Sequence, residues 1–113
     1  MTDRELLEFA AKAAGIDAEF HPELGYGPEG MWLKGKRSPD NSKYWNPLTD
    51  DGDALRLASC LVMDVKVRLK TVVAWAAGGA DVVEGYTDKP GSRIAATRRA
   101  ITRAAASIGE KMP

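Results

Sequence analysis

Three observations in this chain of 113 residues predict an α+β fold of order α-β-β-α-β-β-β-α with a mainly antiparallel sheet. Three segments carry apolar residues at helical spacing behind capping residues. Five short segments have the alternation, or the β-branched and aromatic content, of strands. The links between successive strands are too short for the crossover that a parallel pair needs, so helices should pack on antiparallel strands.

The first helix is predicted over Asp3 to Ala14. Thr2 and Glu5 have the spacing of a capping box, and Leu6, Phe9, Ala10 and Ala13 make one apolar stripe. Gly15 is placed to end the helix in the left-handed conformation, with Ile16 folding back. Ala18 to His21 and Met31 to Lys34 read as a hairpin around a turn region rich in Gly and Pro, the first of them an edge strand. Gly35 to Thr49 is polar and long for a loop, which marks it as a candidate interaction segment.

Asp50 to Val62 reads as the second helix, capped by Asp50 and buried through Leu55, Ala58, Leu61 and Val62. The alternation in Val65 to Lys70 predicts a strand with one wet face. Val72 to Ala76 and Val82 to Tyr86 follow across Gly78-Gly79. Whether Lys70-Thr71 turns the chain, or continues one long strand, is left open by the pattern. Ser92 is the expected cap of the last helix, which runs to about Ile108 with Gly109 ending it. Ile94, Ile101, Ala104, Ala105 and Ile108 should face inward, and Arg99 and Arg103 outward.

Composition fits one globular domain over residues 1–113: 44% hydrophobic, 28% charged. Sixteen basic and sixteen acidic residues cancel, so global charge gives no reason to expect nucleic acid or an anionic membrane. The lone cysteine, Cys60, implies no oxidising compartment. The start of the chain lacks the pattern of a signal peptide, and no apolar run is long enough to span a membrane. The expected location is the cytosol.

Several motifs invite chemistry and read better as structure. Gly25-Tyr26-Gly27-Pro28-Glu29-Gly30 matches a dinucleotide string, but a strand rather than a helix should follow it. Asp50, Asp51 and Asp53 suit a helix N-terminus better than a metal loop. Cys60 and the single histidine, His21, have no visible catalytic partner, and Cys60 is expected to be a structural, at least half-buried thiol. Trp75 is expected in the core. Trp45 is expected to anchor the loop, with ligand stacking as the alternative. Lys34, Lys36, Arg37 and Lys43 lie among aromatic residues as a nucleic-acid surface can, but a solvated loop is preferred. No cofactor and no metal are expected.

Two long stretches, Trp45-Asn46-Pro47-Leu48-Thr49-Asp50-Asp51-Gly52-Asp53-Ala54-Leu55-Arg56-Leu57-Ala58 and Ala95-Ala96-Thr97-Arg98-Arg99-Ala100-Ile101 with Arg103-Ala104-Ala105, carry a resemblance when taken with the opening Thr2 to Leu7. Together they resemble the phage ABA sandwich domain family, small proteins of bacteriophages and prophages. The resemblance implies an α/β/α sandwich and brings no catalytic residues; residues 22–42 and 70–87 depart from its pattern. A salt bridge from an Asp of the Trp45 loop to Arg98 or Arg99 is also expected.

Small size, a phage-like pattern and the lack of a catalytic constellation lead to one functional expectation. The chain is expected to be a non-catalytic accessory protein that binds a host protein in the bacterial cytosol and inhibits a defence system. The alternative is a nucleotide-binding, sponge-like protein in which Trp45 stacks a base and Arg98 or Arg99 meets phosphate. A nucleic-acid module ranks third. The candidate contact residues are Lys36, Arg37, Tyr44, Trp45, Arg98 and Arg99. No membrane contact is expected, and the chain should be a monomer or a homodimer.

Overall fold

The structure is a computed structural model and describes residues 1–21, 30–33 and 44–113. Its elements are α1 (Asp3–Ala14), β1 (Ala18–His21), β2 (Gly30–Leu33), β3 (Tyr44–Trp45), α2 (Asp51–Cys60), β4 (Asp64–Val67), β5 (Thr71–Trp75), β6 (Val82–Gly85) and α3 (Ser92–Glu110). The class is α+β, and every described strand pair is antiparallel. The strands divide into two three-stranded sheets, β1-β2-β3 and β4-β5-β6. The short β3 was not foreseen: two residues are too few for alternation to register.

Helix α1 begins and ends as its residues dictate. The Thr2 hydroxyl accepts the Glu5 N–H, and the Glu5 carboxylate accepts the Thr2 N–H. Gly15 takes φ 69°, and Ile16 N–H closes onto the Ala11 carbonyl. Leu6, Leu7, Ala10 and Ala11 are the buried face.

Helix α3 organises the rest. Ile101 and Ala105 join Leu7, Ala10, Met31, Trp45 and Leu57 in one apolar cluster beside β1-β2-β3. Ala96, Ala100 and Ala104 join Val72, Ala74 and Val82 in a second cluster under β4-β5-β6. At about 100° per residue these two faces lie roughly 120° apart on the helix, so α3 closes both cores at once. Its alanines permit close packing. Gly109 lies inside the helix instead of ending it, and it is glycine because a Cβ there would collide with the Phe9 carbonyl of α1.

Other expectations are corrected. Asp50 caps α2 by accepting the Asp53 N–H, but the helix is turned so that Asp53, Ala54, Leu57 and Ala58 are buried. Leu55 and Val62 are exposed. Two apolar stripes overlap in this segment, and the buried Asp53 selects between them. Lys70 makes a turn in the left-handed conformation, φ 79°, so Val65 to Ala76 is two strands. Gly91, not Ser92, is the N-cap of α3, with no side-chain bond to it; the Ser92 hydroxyl instead accepts the Thr87 N–H. Ile94 and Cys60 are exposed. Among the described residues, no helix is long and apolar enough to cross a membrane.

Candidate functional site

The segment from Tyr44 to Arg56 is fastened internally. Trp45 enters the first apolar cluster at 4% exposure, paired with Met31 across β2 and β3. The Asn46 N–H donates to the buried Asp53 carboxylate at 2.9 Å, and Asn46 Nδ2 donates to the Tyr44 hydroxyl at 3.0 Å. Asn46 Oδ1 accepts the Leu48 N–H, and its carbonyl accepts the N–H groups of Thr49 and Asp50. Arg56 donates to Asp53 Oδ1 at 2.8 Å. Burial of these polar groups is tolerated because each meets a partner; among the described residues no buried side-chain polar atom lacks one.

Arg98 closes this network from α3. Its Nε donates to the Leu48 carbonyl at 2.9 Å and its Nη1 meets Asp51 at 2.6 Å. That is the ion pair expected between the loop acids and the Arg98-Arg99 stretch. Arg99 instead reaches Asp3 at 3.1 Å and Glu84 at 3.3 Å, and Arg103 joins Glu84 at 3.2 Å. Arg99 and Arg103 are therefore half-exposed members of a bridge between α1, β6 and α3.

Of the six candidate contact residues, the structure brings Tyr44, Trp45 and Arg98 together and sets Arg99 in the separate bridge. Lys36 and Arg37 lie outside the described residues, as do Lys34 and Lys43 of the basic group. Gly25 to Glu29 of the glycine string lie outside them too, while Gly30 begins strand β2. A base has no ring face to stack on at Trp45 while the indole stays buried, and Arg98 directs its Nε and Nη1 donors at Leu48 and Asp51. Among the described residues, no group of three or more His, Cys, Asp or Glu is arranged to hold a metal ion.

The open surface lies elsewhere. Cross-strand partners share a sheet face, so the register puts Val65, Ala74 and Val82 on one row under α3. The opposite face carries Trp75 beside Asp64, then Lys66, Val73 and Val83 abreast, then Thr71 beside Gly85. Trp75 is 43% exposed and Val83 56% exposed, whereas Val72, Ala74 and Ala76 are fully buried. Trp75 is thus not core as expected: strand alternation turns it outward. The legible signal was the small residues. Ala74 and Ala76 fit beneath a close-packed helix, and Trp75 between them, with Val73 two residues before it, must face away.

Searches against known protein families, curated proteins and solved structures find no match to this chain. The fold and this surface therefore define its class: an α+β protein with one internally fastened loop and one open, partly apolar sheet face.

Proposed function

We propose that this protein acts by binding another protein through the outer face of β4-β5-β6, without chemistry of its own. The observation that carries this reading is Trp75, which stands half-exposed with Val73 and Val83 and is edged by Asp64, Lys66 and Thr71. An aromatic anchor within a small apolar patch and a rim of mixed charge is the anatomy of a protein-binding hot spot. Such a residue costs solubility when it is left bare, and a partner removes that cost.

The phage-like stretches noted above suggest the setting, an accessory protein that captures a bacterial host protein and blocks a defence system. Those stretches lie in the start of α1, in the Trp45 loop with α2, and in α3, which build the scaffold. The apolar centre of the contact face, Val73, Trp75 and Val83, lies in the part of the sequence that departs from the resemblance, so that centre would be particular to this chain.

Capture from host lysate by the native chain, compared with Trp75→Ala and Val83→Lys, tests the reading. The native chain should retain a defined partner and both variants should lose it while melting within about 1 kcal/mol of the parent. Retention of the same partner by both variants would place the contact elsewhere, and no partner at all would remove the reading.

A further inference from the structure

The geometry points to a second copy of this chain as the partner of strand β4, the two strands pairing antiparallel about a twofold axis at Val65 to form one six-stranded sheet. In β4-β5-β6 the two outer strands are treated differently. At β6, Arg103, held by Glu84, reaches the Val83 carbonyl at 3.5 Å, so a side chain occupies part of that edge. Along β4, no described strand pairs on the outer side. The apolar row on its inner face is thinly covered: Val65 is only partly buried and Val67 is 53% exposed, since α3 lies chiefly over β5 and β6. Leu69, at the tip of the hairpin, is 90% exposed.

The backbone is set for such pairing. The Arg68 N–H donates to the Thr71 carbonyl, so Arg68 and Thr71 are a hydrogen-bonded pair of the β4-β5 hairpin. Bonding alternates along an antiparallel ladder, so Lys66 and Asp64 also point their backbone groups at β5. The N–H and C=O groups of Val65 and Val67 therefore point to the open edge.

Charge then selects the register. The outward side chains are Asp64, Lys66 and Arg68. A twofold axis at Lys66 would set Lys66 against the partner's Lys66. An axis at Val67 would set Lys66 against the partner's Arg68. An axis at Val65 sets Asp64 against the partner's Lys66, twice. It does so in a non-hydrogen-bonded pair, where opposed side chains lie closest, about 4.5 Å between Cα atoms. The same axis lets Val65 bond its own copy through both backbone groups and lays Val67 on the partner's Met63. The contact is self-complementary, as a twofold interface must be.

The inference shares Asp64 and Lys66 with the rim of the proposed host contact but not its apolar centre, because Val83 lies two strands from this edge: Val83→Lys should leave dimerisation unchanged. Sedimentation equilibrium of the full chain over a micromolar-to-millimolar range should give a reversible monomer–dimer equilibrium. Asp64→Lys and Lys66→Asp each set like charges across the axis twice and should weaken the dimer about tenfold or more. The double reversal, Asp64→Lys with Lys66→Asp, restores complementarity and should recover affinity to within roughly threefold of the parent. Amide exchange at Val65 and Val67 should slow as concentration rises. A chain that stays monomeric throughout, a dimer that ignores both single reversals, or a double reversal as weak as the singles overturns the inference.

Discussion

Trp45 and Trp75 are the same side chain on strands of two antiparallel sheets of equal size, and they meet opposite fates. Trp45 sits in β3, where its indole joins the cluster with Met31 of β2 and the helices; beside it the Asn46 N–H is bonded to Asp53 and Asn46 Oδ1 to the Leu48 N–H. Trp75 ends β5, whose inner positions are taken by Val72 and Ala74 against the alanine face of α3. There the strand has one packed face and one bare face, and parity alone puts the indole on the bare one. A residue's place in a sheet, rather than its hydrophobicity, decides whether it builds the core or presents a surface. The loop that looks most like a site, with an aromatic, three acids and a nearby arginine, is a fastening.

Paired truncations are the strongest way to break this contrast. Trp45→Ala should cost roughly 3 kcal/mol or more, because it empties a closed cluster and frees a loop whose ordering the indole offsets. Trp75→Ala should cost less than about 1 kcal/mol, since water already reaches that ring. Denaturant midpoints measured side by side decide the matter. Equal losses would mean that the outer face is covered in solution, and a harmless Trp45→Ala would make the Trp45 loop the functional site after all.

Within the fastened region, Asp50 offers a smaller probe. Its carboxylate accepts the Asp53 N–H at 2.8 Å and stands near Arg56 at 3.8 Å, with more than half of its side chain in water. Asp50→Ala should lower stability by about 1 kcal/mol through the lost cap. The exposed ion pair adds little to that. A loss as large as that of Trp45→Ala would show that the network unravels as a unit when any member is removed.

The three helices and the antiparallel strands were legible because capping residues and periodicity are local signals. Thr2, Glu5, Gly15 and Asp50 each act as their neighbours demand, and Trp45 and Arg98 also take the structural roles expected of them. What was not legible depends on rotation and parity. The second helix could bury either of two overlapping stripes, and the choice is made by Asp53 meeting the Asn46 N–H, a contact across a turn. Val72 to Ala76 reads as an unbroken apolar run, and the small Ala74 and Ala76 fix the outward parity of Val73 and Trp75 only once α3 is known to lie on the other side. Gly109 reads as a helix end because its reason for being glycine, the Phe9 carbonyl, is a hundred residues away in the chain. The open edge of β4 is legible only after β5 and β6 have been placed.

The smallest expected effect separates hydrogen bonding from burial, the two things that coincide at Asp53. Glu5 is fully exposed, yet its carboxylate accepts the Thr2 N–H and the Thr2 hydroxyl, each at 3.1 Å. The backbone bond first, and the hydroxyl bond second, favour the charged form and hold the Glu5 pKa below its ordinary value. A carboxyl whose folded pKa is depressed adds stability above its unfolded pKa and loses it as pH falls through the folded one. The capping box should therefore be complete near neutrality and dissolve in acid, below the ordinary glutamate range. Side-chain carbon shifts followed by NMR should place the Glu5 midpoint below the unfolded-chain value. Thr2→Ala, which removes the hydroxyl but keeps the backbone N–H, should recover only part of the shift, since the hydroxyl is the lesser cause. Melts of Glu5→Gln against the parent should differ most at neutral pH and converge in acid. A Glu5 midpoint at or above the unfolded value would mean that the box is not populated in solution, and that an exposed cap cannot do for α1 what the buried Asp53 does for the Trp45 loop.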